Sequence, residues 1–136
     1  MYPNKIIPFI TFCGQTKEAI DFYVSIFPNS NIESIIYVTN EDRGVEGDVL
    51  NASFTLYDTP FMAMDMEREY CPTTSWATSF YMELEEEKEF DDLFNKLSKD
   101  GTVMMGPESI ITDTINITKC AWVTDKYQVT WQLVFQ

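Results

Sequence analysis

Residues 8–27 read PFITFCGQTKEAIDFYVSIF, and residues 79–98 read SFYMELEEEKEFDDLFNKLS. In each stretch a β-branched or aromatic run is followed by a polar break. Apolar residues spaced three and four apart come next. The first pattern is that of a strand, the second that of a helix with one buried stripe. Phe9 and Phe80 lie 71 residues apart, and so do Ala19 and Phe90, Phe22 and Leu93, Tyr23 and Phe94, and Ile26 and Leu97. A single offset thus aligns strand and helix of both stretches without a gap, which is the mark of an internal repeat.

Working outward, each helix is followed by three strand candidates. In the first half they are 31–39, 48–56 and 60–66, the last two forming a hairpin that turns at Tyr57-Asp58-Thr59. In the second half they are 102–105, 116–124 and 129–135. The opening strands are 6–12, where Pro8 favours an edge, and 76–84. Thr16 is placed to cap the first helix. Glu85, Glu86, Glu87 and Glu89 crowd the start of the second, with Lys96 and Lys99 at its end, both suited to the helix dipole. The expected fold is α+β, with two βαβββ repeats forming a cupped mixed sheet. A single domain is expected, its first half at about 5–66, a polar linker at about 67–75 and its second half at about 76–136. A cup of this kind is a natural pocket for a small molecule.

The chain has 136 residues, 45% hydrophobic and 15% aromatic, as suits a packed globule. It carries 22 acidic and 9 basic residues, a formal net charge of −13. Such a surface repels phosphate, which speaks against nucleic acid and anionic membranes as partners. The N-terminal Met1-Tyr2-Pro3-Asn4-Lys5 lacks the pattern of a signal peptide, and no segment reaches the length of a membrane span. A cytoplasmic protein is expected. Cys13, Cys71 and Cys120 are widely spaced and odd in number. They read as reduced, buried thiols, with Cys13 partly exposed.

Three separated segments carry a family resemblance in order: the run from Pro8 to Tyr23 continuing through Ser25-Ile26-Phe27-Pro28-Asn29-Ser30, the run from Ala52 to Asp65, and the ending Cys120-Ala121-Trp122-Val123-Thr124-Asp125-Lys126-Tyr127-Gln128-Val129-Thr130-Trp131-Gln132-Leu133. Together they resemble the PhnB-like branch of the vicinal-oxygen-chelate (glyoxalase/bleomycin-resistance) superfamily over nearly the whole chain. The resemblance implies the duplicated fold and a homodimer. The branch often bears the label 3-demethylubiquinone-9 3-methyltransferase. The sequence, however, has no glycine-rich strand-to-helix loop of the kind that seats a methyl-donor nucleotide.

The resemblance also implies where a superfamily metal would bind. Its four ligand positions fall on Pro8, on Ser79 by the offset of 71, on Gln132, and on Met62, with Met64 as the alternative. None is a good ligand for zinc, nickel, manganese or iron, and the chain has no histidine. No metal and no cofactor are expected. The same positions assign a pocket face of Pro8, Ile10, Phe12, Met62, Met64, Ser79, Tyr81, Gln132 and Val134, apolar with a few polar groups. Asn51 stands where relatives often carry histidine.

Three functions are compatible with this reading. The first is a metal-independent homodimer that binds or sequesters a small aromatic or cationic compound. The second is a metal-independent isomerase or transferase using an acid such as Asp65 or Glu83, with no catalytic residue assigned. The third is a structural or regulatory dimer with a filled cup.

Overall fold

The computed structural model describes residues 4–136; Met1, Tyr2 and Pro3, which carry part of the N-terminal reading, lie outside the described residues. In chain order the elements are β1 (Phe9–Phe12), α1 (Thr16–Ile26), β2 (Asn31–Tyr37), β3 (Val49–Leu56), β4 (Thr59–Asp65), a 3-10 turn (Arg68–Tyr70), β5 (Phe80–Leu84), α2 (Glu87–Ser98), β6 (Thr102–Ile111), β7 (Asn116–Thr124) and β8 (Thr130–Phe135). This is βαβββ twice. The chain divides into two units, Met1–Thr73 and Thr74–Gln136.

In the first unit the strand order is β1-β4-β3-β2, with β1 parallel to β4 and the other pairs antiparallel. β1 is an edge strand of its sheet, as Pro8 suggests. The β3–β4 hairpin closes through Tyr57 and Asp58, whose φ values of 50° and 61° are those of a two-residue hairpin turn. Ala52, Phe54, Phe61 and Ala63 are buried on one face of the sheet, and Ala19, Ile20 and Tyr23 are buried on α1, which packs there. Phe54 and Phe61 stack with ring centroids 5.6 Å apart. Removing each such side chain from water contributes about 1.5–3 kcal/mol.

In the second unit the order is β5-β8-β7-β6, with β5 parallel to β8. Lys119 on β7 shows which face α2 covers: its Nζ lies 3.0 Å from Glu87 Oε1 and 2.8 Å from Asp91 Oδ1 of α2, and 5.5 Å from the centre of the Phe90 ring. Lys119, Ala121 and Val123 therefore face α2, together with Trp131, Leu133 and Phe135 opposite them on β8. β6 runs to Ile111 rather than ending at Met105. Gly106 and Pro107 suggest a break, but here they form a cis-peptide irregularity within the strand. A Cβ at Gly106 would strike the carbonyl oxygen of Cys120, so only glycine lets β6 stay against β7.

The repeat is real, but its register in the first strand and helix differs by one residue from the expected 71. Buried Ile20, Tyr23 and Phe27 correspond to buried Phe90, Leu93 and Leu97, all 70 apart. In the strands, Ile10 pairs with Ala63 on the α1 face, as Phe80 pairs with Trp131 on the α2 face. Side chains alternate along a strand, so a one-residue slip moves each to the other face. The helix stripe misled because Phe22 and Ile26, half-buried here, complete an apolar pattern at either offset.

The cysteines also depart from expectation. Cys13 and Cys71 form a disulfide with Cα atoms 5.7 Å apart; Cys13 is exposed and Cys71 half-buried. The parallel pairing of β1 with β4 sets Phe12 beside Asp65, so the segments leaving both strands start close together and 58 residues of separation close easily. Cys120 is the one that matches the reading, a buried free thiol on β7.

Candidate functional site

Asp65 ends β4 on the α1 face. Its Oδ1 accepts hydrogen bonds from Gly14 N at 2.8 Å, Thr16 N at 3.0 Å and Thr16 Oγ1 at 2.7 Å, and its Oδ2 from Val49 N at 2.9 Å. The carboxylate therefore caps α1 from across the sheet. Thr16 is not the cap but the first helical residue, and Gln15 at the N-cap makes no side-chain cap bond. Gly14, at φ 91°, supplies the left-handed backbone that turns its N–H toward Asp65. All four bonds serve the fold, so Asp65 is a structural clamp rather than a free acid at a cup mouth.

The face opposite α1 carries Phe9, Thr11, Met62 and Met64, because β1 pairs Phe9 with Met62 and Thr11 with Met64. Asn51 and Ser53 on β3 share this face. Ile10 and Phe12 lie level with Ala63 and Asp65, and Phe12 is buried. Their expected place on one face with Met62 and Met64 is thus corrected by the register. Pro8 precedes β1, and its carbonyl accepts from Met62 N at 2.9 Å.

On the second unit, alternation puts Ser79, Tyr81 and Glu83 with Gln132 and Val134 on the face opposite α2. Trp122 and Thr124 of β7 are level with Gln132 and Thr130 there. Gln132 Nε2 donates to Ser79 Oγ at 2.8 Å, so these two residues are hydrogen-bonded to each other. Tyr81 and Glu83 are exposed and Val134 is buried. Beside Gln132, the indole N–H of Trp122 is buried with no hydrogen-bond partner among the described residues.

The Trp122 ring meets Trp76 edge-on at 5.7 Å. Trp76 sits in a turn before β5 rather than in the strand expected from 76 onward. It lines a cavity of about 220 Å³ together with Thr74, Ser75, Thr102, Met104, Thr124, Gln128 and Thr130. Sequence reasoning missed this cavity, because its wall comes from turns and strand ends whose spacing carries no period. The one available signal was Gln128, a bulky residue inside a tight hairpin turn.

A superfamily metal is tested by these donors. With the observed register, the first-unit counterparts of Ser79 and Gln132 are Phe9 and Met64. Phenylalanine offers no donor, methionine only a soft thioether, and Ser79 and Gln132 are neutral and already paired. Among the described residues, no three histidine, cysteine, aspartate or glutamate side chains converge. The residues present do not fit the metal.

The duplicated βαβββ fold is that of the glyoxalase/bleomycin-resistance superfamily. The fosfomycin resistance protein FosX from Listeria monocytogenes shares it at 9% identity and a TM-score of 0.64, over 100% of this chain and 93% of that one, a likeness of fold alone. The sequence profile described as 3-demethylubiquinone-9 3-methyltransferase matches residues 4–134, and the chain belongs to that family. The PhnB protein from Bacillus cereus, whose description carries the same methyltransferase name, is 37% identical with a TM-score of 0.86, over 98% of this chain and 100% of that one. A Pseudomonas aeruginosa protein is 20% identical with a TM-score of 0.80, over 98% of each chain. No curated protein matches the chain. Among the described residues no helix is long and apolar enough to cross a membrane.

Proposed function

We propose that this PhnB-like protein is a metal-independent homodimer that binds a small organic compound, aromatic or cationic, on the sheet faces opposite its helices. In the second unit the residues offered are Ser79, Tyr81, Trp122 and Gln132, with Val134 buried beneath them; in the first, Phe9, Thr11, Met62 and Met64. One observation carries the reading: the buried indole N–H of Trp122 lacks an acceptor beside the Ser79–Gln132 pair. Buried donors are rarely left unpaired, and a ligand oxygen that reaches this one when a neighbouring side chain shifts would satisfy it. The net charge of −13 favours cations over anions. The methyltransferase name is not adopted, since a family name is not a site. The alternative of an acid-using enzyme loses Asp65, whose carboxylate is committed to α1.

The test is native mass spectrometry of the purified protein followed by a thermal-shift screen of aromatic and cationic compounds. The expected result is a dimer with an organic adduct, or stabilisation by an organic compound that Trp122→Phe abolishes. A monomer that no organic compound stabilises would end the proposal. The cytoplasm is the proposed compartment, but there glutathione works against a disulfide. A Cys13–Cys71 bond that survives thiol trapping at lysis would argue for an oxidising compartment instead.

A further inference from the structure

The cavity at the β7–β8 turn has a wall that the turn itself is built to present. Asp125 is buried, and its carboxylate accepts from Tyr127 N at 2.8 Å, Val129 N at 3.1 Å and Trp131 Nε1 at 2.8 Å. Gln128 N in turn donates to the Asp125 carbonyl at 2.9 Å. These bonds hold Gln128 at φ 72°, in the left-handed region that suits glycine and strains a longer residue. A glycine here would relieve the backbone at once. Gln128 instead lines the cavity, and its side-chain amide makes no hydrogen bond to another described residue. Strain held in place by a surrounding network is a pointer to function.

The rest of the wall states what would fit. Trp76 is 57% exposed and Met104 40% exposed, so each offers an apolar surface. Thr74, Ser75, Thr102, Thr124 and Thr130 add hydroxyl groups, and no lining residue is charged. We infer that this cavity, bounded by Trp76, Met104 and Gln128, binds a small uncharged aromatic compound bearing a hydroxyl or amide group, its ring against Trp76 and its polar group on Gln128. A ring on Trp76 uses the preferred geometry of aromatic contacts. An amide opposite the Gln128 amide can both donate and accept. The volume of about 220 Å³ limits the ligand to about a single ring with short substituents. The lining does not include Ser79, Tyr81, Trp122, Gln132 or Val134, but Trp76 meets Trp122, and Thr124 and Thr130 share the face of Gln132, so this site adjoins the one proposed above without sharing its residues.

The probe is 4-hydroxybenzamide, titrated into the intact protein and followed by the indole and side-chain amide signals in nitrogen–proton correlation spectra. Saturable shifts are expected at the Trp76 indole and the Gln128 amide. Gln128→Gly is expected to weaken binding about tenfold, equivalent to about 1.4 kcal/mol, while leaving the melting temperature unchanged or higher. Trp76→Leu is expected to weaken binding as well. The proposal is overturned if the shifts fail to saturate, if they fall on the Trp122 indole and the Gln132 amide while Trp76 and Gln128 stay unmoved, or if Gln128→Gly binds as tightly as the parent. A melting temperature lowered by Gln128→Gly would overturn it too, since the strained residue would then serve the fold. Equal affinity for 4-hydroxybenzoate would overturn the uncharged class.

Discussion

Asp65 and Asp125 are both buried, and both spend their carboxylates on backbone N–H groups. From sequence, Asp65 reads as an acid at a cup mouth, on a solvated rim by default and a candidate for acid–base work only in the second of the three functions. Its partners Gly14 and Thr16 lie 51 and 49 residues away, a distance that no local pattern bridges. Asp65→Asn replaces a charged acceptor of four bonds with an amide whose nitrogen must face donors. The expected cost is about 2–4 kcal/mol, read as a lower urea midpoint, with ligand binding retained by the folded fraction. Unchanged stability would show that the helix start does not depend on this group.

At the scale of elements, β1 decides how the sheet faces are assigned. Phe9 is 47% exposed and Phe12 is 5% exposed. Phe12→Ala is expected to cost about 3–5 kcal/mol and Phe9→Ala less than about 1 kcal/mol, compared by chemical denaturation; the reverse order would restore the register of 71. The elements themselves were legible because period two and period 3.6 survive in the sequence: β7 falls on 116–124 as read, and the α2 stripe of Phe90, Leu93 and Leu97 is buried. The face of β1 was not legible, since Pro8-Phe9-Ile10-Thr11-Phe12 is apolar at nearly every position and carries no alternation. The far end of β6 was hidden by Gly106 and Pro107, which usually punctuate a strand.

The disulfide ties the loop after β1 to the segment after β4. Without reductant, native protein is expected to show no fast-reacting thiol. After mild reduction Cys13 and Cys71 should react, and Cys120 only on unfolding. Burial pushes the Cys120 thiol up from its ordinary value. The folded state thus favours the protonated thiol: this contribution to stability is complete below the unfolded pKa and is lost as pH rises through the folded one. Reduction is expected to cost about 2–4 kcal/mol, seen as a lower melting temperature. Two freely reacting thiols before reduction would contradict the bond.

For the whole molecule, family and fold were legible because three separated segments keep their order across nearly the full chain, and the 37% identity to the Bacillus cereus PhnB protein agrees. The cavity beside Trp76 was not legible, since its wall is assembled from turns. The central claim is that the residues at the superfamily's metal positions do not fit a divalent metal. Calorimetric titration of chelator-treated protein with zinc, nickel and manganese tests it most directly. The account predicts no saturable heat at one metal per chain and no change in melting temperature. One equivalent of tightly bound metal, lost in Gln132→Ala and Ser79→Ala, would contradict it.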